Sequence, residues 1–137
     1  MLREFFNFEK QAKLSFLKQI EENDNLQIIR LKGPVDRDSL PELERLNKKA
    51  AGKAGFLKKN ILIDFKDVTH VDSATIAVLI QILSRLKHEN HKMGLINVTP
   101  ELRDMLGISR VSDLFCVYDS EEKALKESNK TFGTCNI

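Results

Sequence analysis

The sequence predicts an α/β fold: an N-terminal β-hairpin, then strand–helix repeats, on a mixed sheet with the helices mainly on one face. Three observations lead there. Two apolar segments, 14–20 and 26–31, flank the polar run Glu21-Glu22-Asn23-Asp24-Asn25, the composition of two strands and a turn. After Gly33-Pro34 the apolar spacing shifts to the helical period of 3.6, then alternates between helical stripes and the short apolar runs 61–65, 92–98 and 114–118. Crossovers of this length imply parallel pairing from the second strand onward, with right-handed connections.

Each element has its own local signals. Residues 1–13, with Leu2, Phe5, Phe6 and Phe8 among charges, have the spacing of a short amphipathic helix and form an N-terminal extension; the phenylalanines read as core or as contacts of a homodimer. The hairpin ends at Gly33-Pro34, since proline cannot donate to a ladder. A helix over 39–51 follows, with Leu40, Leu43, Leu46 and Ala50 on one face, Asp38 or Ser39 as cap, Pro41 in the first turn and Gly52 and Gly55 past the end. Strand 61–65 runs into a turn and a helix over 74–88 with a buried stripe of Ile76, Leu79, Ile80, Leu83 and Leu86. A strand at 92–98 precedes a helix capped by Thr99, begun by Pro100 and stopped by Gly107. The last strand, 114–118, leads to a helix that Asp119 caps with Glu122 as in a capping box. The globular domain is thus expected over 14–127, with a tail over 128–137.

Composition narrows the function. Of the 137 residues, 22 are Lys or Arg and 20 are Asp or Glu, mixed along the chain, so the net charge of +2 draws no footprint for nucleic acid or an acidic membrane. A protein partner fits better. The two cysteines, Cys116 and Cys135, make neither a metal spacing nor a disulfide framework and read as reduced thiols of a cytoplasmic protein. No apolar run reaches the roughly 20 residues of a membrane span, and the start lacks the apolar stretch of a signal peptide. His70, His88 and His91 read as solvated surface. No Ser-His-Asp order, Gly-rich phosphate cradle or His-Glu-x-x-His is present, so we expect no enzyme, no metal and no cofactor.

Function concentrates at the junction Asp72-Ser73-Ala74-Thr75, between the central strand and its helix. Asp and Ser are residues that helix caps prefer. A hydroxyl there also sits where a phosphate would meet oriented N–H groups and the positive end of the helix dipole.

Three stretches carry a resemblance: Ile29-Arg-Leu-Lys-Gly-Pro-Val-Asp36, Ile63-Asp-Phe-Lys-Asp-Val-Thr-His-Val-Asp-Ser73 and Leu95-Ile-Asn-Val-Thr-Pro-Glu-Leu-Arg-Asp-Met-Leu-Gly-Ile108. In this order they resemble the STAS domain, the fold of bacterial anti-sigma factor antagonists that also occurs in the cytoplasmic part of sulphate transporters. The resemblance implies a non-enzymatic partner switch in transcription regulation. Such a protein binds an anti-sigma factor that is also a serine kinase of ATPase fold, frees the sigma factor, is disabled by phosphorylation and is restored by a phosphatase. The family's usual acceptor, the second hydroxyl of Asp-Ser-Ser/Thr-Gly, falls on Ala74, and its glycine falls on Thr75. The resemblance therefore points to Ser73 as the phosphorylated residue, with Thr75 as second choice, and to Asp36, Asp72, Ser73 and Thr75 as partner-binding residues. The alternative it implies is a scaffold or subunit of a sensory complex or lipid ABC transporter.

Overall fold

The computed structural model describes residues 3–4, 15–22, 24–39, 41–42, 59–108 and 115–128. Six strands form one sheet in sequence order: β1 (Arg3–Glu4), β2 (Leu17–Glu22), β3 (Leu26–Val35), β4 (Asn60–Val71), β5 (Met93–Ile96) and β6 (Cys116–Tyr118). Pairs β1/β2 and β2/β3 are antiparallel, and β3 to β6 run parallel. The mixed sheet and the pairing direction are those expected from the sequence. β1 is an addition: Arg3 and Glu4 pair with Glu22 and Glu21 as strand where the spacing of 1–13 suggested helix. Two helices follow β4 and β5, α1 (Ser73–His88) and α2 (Pro100–Ile108), and α3 (Glu121–Ser128) ends the described chain. Of the helix expected over 39–51, Ser39 instead closes a 3-10 turn over Arg37–Ser39, residues 41–42 are helical, and the remainder lies outside the described residues.

Alternation along the strands divides the interior in two. Ile29, Leu31, Ile61, Ile63, Phe65, Met93 and Leu95 face α1 and α2 and meet Ile76, Leu79, Ile82, Leu83, Leu86, Leu102 and Leu106. Leu26, Ile28, Leu62, Ile96, Cys116 and Tyr118 face the other way and are covered by Ala124 and Leu125 of α3. Strands added in one direction with the same crossover hand place their helices on one face, which accounts for α1 and α2. α3 follows the last strand and is free to fold onto the opposite face.

Several expected boundaries move. Gly33 and Pro34 do not end the hairpin strand: β3 continues to Val35, with register shifts at Arg30/Lys32 and Gly33/Pro34. Gly33 takes a φ of +67°, open to glycine at no steric cost. β2 pairs with β3 only as far as Leu31, so the missing N–H of Pro34 faces no ladder on that side. β4 likewise runs on from Phe65 to Val71, because buried Val68 and Val71 extend its pairing along β3. Glu21 and Glu22 belong to β2, paired with Ile28 and Gln27. Ile80 is 36 % exposed, since a stripe centred on Leu79 and Leu86 leaves it about a quarter turn aside and takes Val78 and Ile82 in its place. Gly107 lies within α2 without the left-handed backbone of a stop. Ser120, not Asp119, caps α3: Lys123 N donates to Ser120 Oγ at 3.2 Å, while Asp119 ion-pairs with Lys123. Cys116 is disulfide-bonded, which corrects the reading of it as a reduced thiol; a strand at the sheet edge leaves a flank open to a cross-link that composition does not disclose.

The second face also buries charge. Arg30, on the row of Leu26 and Ile28, donates from Nε to Glu21 Oε1 at 2.7 Å, from Nη1 to Asp64 Oδ2 at 2.7 Å and Glu121 Oε1 at 2.8 Å, and from Nη2 to Glu121 Oε2 at 3.2 Å. Asp64 is 5 % exposed and accepts further bonds from Lys66 N and Asn97 Nδ2, both at 2.9 Å. The bonds to Glu121, then those to Glu21 and Asp64, hold the guanidinium protonated well above its usual range against the opposing effect of burial.

Two mutations test this architecture. Leu79→Ala should cost about 2–5 kcal/mol as a large-to-small core change, whereas Ser84→Ala on the exposed face of α1 should stay within about 0.5 kcal/mol; urea midpoints separate them, and equal small losses would mean a different helix phase. Arg30→Met leaves three carboxylates facing one another without their cation and should cost about 3 kcal/mol, against about 1 kcal/mol for Glu121→Gln, which keeps a neutral acceptor.

Candidate functional site

Val35 pairs with Val71 at the carboxyl ends of β3 and β4. That register sets the two loops that follow, Asp36–Ser39 and Asp72–Ser73, side by side. Asp72 is the N-cap of α1, extended at φ −144° and ψ −171°. Its two carboxylate oxygens do different work. Oδ1 accepts from Ala74 N at 2.9 Å and caps the helix, while Oδ2 accepts from Arg37 N at 2.9 Å and ties down the neighbouring loop. Thr75 at the third helical position completes a capping box by accepting from Asp72 N at 3.3 Å, and its hydroxyl donates to the carbonyl of Val35.

The loop beyond β3 has its own closure. Asp36 Oδ1 accepts from Asp38 N at 3.0 Å, Ser39 N donates to the Asp36 carbonyl at 2.9 Å, and Ser39 Oγ donates to the Pro34 carbonyl at 3.1 Å. These are the side-chain-to-backbone bonds by which Asp and Ser make turns. Across the turn, His70 Nδ1 lies 3.6 Å from Glu101 Oε1 in the first turn of α2, whose N-cap is Thr99, its Oγ1 accepting from Leu102 N at 3.1 Å.

The four residues singled out from the sequence therefore fall in one place but not in equivalent surroundings. Ser73 is the first residue of α1, exposed, and its hydroxyl has no hydrogen-bond partner among the described residues. Asp36 and Asp72 are half-buried and engaged in turn and cap. Thr75 is 2 % exposed, and its hydroxyl is used both as donor and as acceptor. The Ser73 hydroxyl is open to solvent, whereas that of Thr75 could be reached only by breaking both of its bonds at the helix terminus. The resemblance ranked Ser73 ahead of Thr75, but spacing along a helix does not reveal which hydroxyl a neighbouring strand has claimed. It also passed over Arg37, whose backbone meets Asp72 through a contact 35 residues away in sequence.

His88 and His91 lie apart from this site, at the far end of α1, where Asn90 at φ +64° turns the chain and the helix closes with Asn90 N on the Lys87 carbonyl and His91 N on the Leu86 carbonyl. Among the described residues no group of three or more His, Cys, Asp or Glu is placed to hold a metal ion. Nor is any helix among them long and apolar enough to cross a membrane.

The bonding makes Thr75 structural, with a measurable consequence. Thr75→Val should cost about 1–3 kcal/mol, since it strands the Val35 carbonyl and the Asp72 amide without a partner, whereas Thr75→Ser should recover most of that loss. Paired denaturation curves read the difference.

A STAS-domain containing protein of Pseudomonas aeruginosa is 30 % identical over 57 residues, 42 % of this chain and 56 % of that protein, so the chain matches little more than half the length of this relative. Among solved structures, a candidate anti-sigma factor antagonist from Thermotoga maritima superposes with a TM-score of 0.70 at 17 % identity, over 85 % of this chain and 97 % of the other. The Bacillus cell fate determinant SpoIIAA in its phosphorylated form superposes with a TM-score of 0.60 at 19 % identity, over 80 % and 96 %. At these identities the likeness is one of fold. The STAS domain description, however, matches residues 18–124, from the hairpin through the strand-to-helix junction at Asp72 to α3, and by that match the chain belongs to the STAS domain family.

Proposed function

We propose that this protein is a non-enzymatic anti-sigma factor antagonist: it binds a kinase-type anti-sigma factor of ATPase fold and is released when that kinase phosphorylates Ser73. The observation that carries the reading is the contrast at the start of α1, an exposed Ser73 hydroxyl with no partner among the described residues beside a buried Thr75 hydroxyl with two. Family membership supports it, as does the likeness in fold to SpoIIAA, a protein whose phosphorylated form is known.

In the proposed step Ser73 Oγ attacks the γ-phosphorus of ATP held by the kinase. A new O–P bond forms, the bond to the bridging oxygen breaks, ADP leaves, and the hydroxyl proton passes to a base of the kinase. The product carries about 1.5 to 2 additional negative charges at neutral pH. They project from the surface formed by Asp36, Arg37, Asp72 and Ser73, which we take as the partner-binding surface, with Thr75 as its internal support. The domain keeps its fold, because the core lies on the other side of the Asp72 cap, while a partner seated on the surface meets a charge to be desolvated or repelled. A phosphatase that hydrolyses the ester restores binding.

Two outcomes test the reading. Incubated with ATP and the partner kinase of its host, wild type and Thr75→Ser should gain one phosphate by intact mass and Ser73→Ala none; a phosphate retained on Ser73→Ala would move the acceptor elsewhere. Ser73→Asp should bind the partner more than about tenfold more weakly than wild type, a loss of about 1.4 kcal/mol or more, with an unchanged urea midpoint.

A further inference from the structure

The amides of the second and third residues of α1 are already in use. Ala74 N donates to Asp72 Oδ1 at 2.9 Å and Thr75 N to the Asp72 carbonyl at 3.0 Å. A phosphate on Ser73 would find those donors taken and a carboxylate one residue away. Two anionic groups on adjacent residues call for a nearby cation. The basic residue whose main chain is bonded to this turn is Arg37, with its N–H on Asp72 Oδ2 at 2.9 Å. Its side chain is exposed, and no ion pair or hydrogen bond holds the guanidinium among the described residues. Two other basic side chains have partners of their own: His70 faces Glu101, and Lys18 is bonded to Asp67, whose carboxyl it holds below the usual range.

We propose that Arg37 is the intramolecular counter-cation of phosphorylated Ser73, its guanidinium closing over the phosphate at the start of α1. The inference rests on the reading of Ser73 as the phosphoacceptor and adds a regulatory contact within the domain. A guanidinium offers a planar fork of donors that matches two phosphate oxygens, and because the Arg37 backbone is pinned to the cap, only side-chain torsions need change to bring it there. Phosphorylation then alters the surface twice, adding an anion and withdrawing a cation from a partner's reach. The 3-10 turn Arg37–Ser39 and the helix terminus become joined through side chains as well as through Asp72.

The test uses the full chain with phosphoserine genetically encoded at position 73, in the wild-type, Arg37→Lys and Arg37→Gln backgrounds, titrated by phosphorus-31 NMR. Glutamine keeps the backbone donor to Asp72, and urea midpoints of the unphosphorylated variants check that the fold is retained. The second ionisation of phosphoserine, about 6 when unperturbed, should lie lower in the wild-type background than in Arg37→Gln by about half a pH unit or more, roughly a threefold change in proton affinity. Arg37→Lys should fall between, as a single charge without the fork, and the difference should shrink in about 1 M salt. Equal ionisation in wild type and Arg37→Gln overturns the proposal. Since the phosphate is encoded, this result does not depend on any kinase: failure of the kinase to modify wild type removes the proposed switch, while the titration still decides the role of Arg37.

Discussion

The Asp72 carboxylate is the contact on which the functional end of this molecule depends. One oxygen starts a helix and the other holds a loop from a different part of the chain. Neither bond would be possible without the register of β3 on β4, which brings Val35 opposite Val71 and so delivers both loops to one point. The cap is thus a tertiary interaction as much as a local one. Backbone placement, side-chain capping and the exposure of Ser73 all follow from where two parallel strands stop.

The same sheet solves a different problem on its other side. Its helix-bearing face is closed by apolar residues, but the face under α3 includes a guanidinium shared among three carboxylates. A buried ionic group contributes little net stability compared with well-packed apolar residues, yet it accepts fewer arrangements. Glu21 comes from the hairpin, Asp64 from the central strand and Glu121 from the last helix, so the cluster fixes three distant segments in one register. A short terminal helix with only Ala124 and Leu125 to bury gains an orientation that its apolar contacts would leave loose.

Much of this was legible in the sequence, for identifiable reasons. Period-two runs marked the strands, and the crossover lengths settled their direction. Thr99-Pro100 marked the start of α2 because its cap is local, a hydroxyl reaching an amide three residues on. Local signals failed where the deciding contact was remote. Gly33-Pro34 looked like a terminus because a proline breaks a ladder that continues beside it, and β2 had already ended. Asp119 looked like a cap and was displaced by Ser120, one residue along, where only the path of the chain from β6 chooses between them. At the site, Asp72-Ser73 stood out at once, but the difference between Ser73 and Thr75 is made by a carbonyl 40 residues away in sequence. Arg30 carried a signal that could have been used: a charge on the row of Leu26 and Ile28 is out of place unless carboxylates await it.

α1 is closed at both ends, by the Asp72 and Thr75 box at one and by the left-handed Asn90 turn at the other. A helix of 16 residues is about 24 Å long at 1.5 Å per residue. With neither end free to fray, its hydrogen-bond ladder has no loose turn in which a disturbance can be absorbed by local melting. A displacement imposed at Ser73 must then be taken up as tilt or slide of the whole cylinder against the sheet, or not at all. The capped ends thus tie the junction with β4 and the Asn90 turn beyond His88 to a single rigid element.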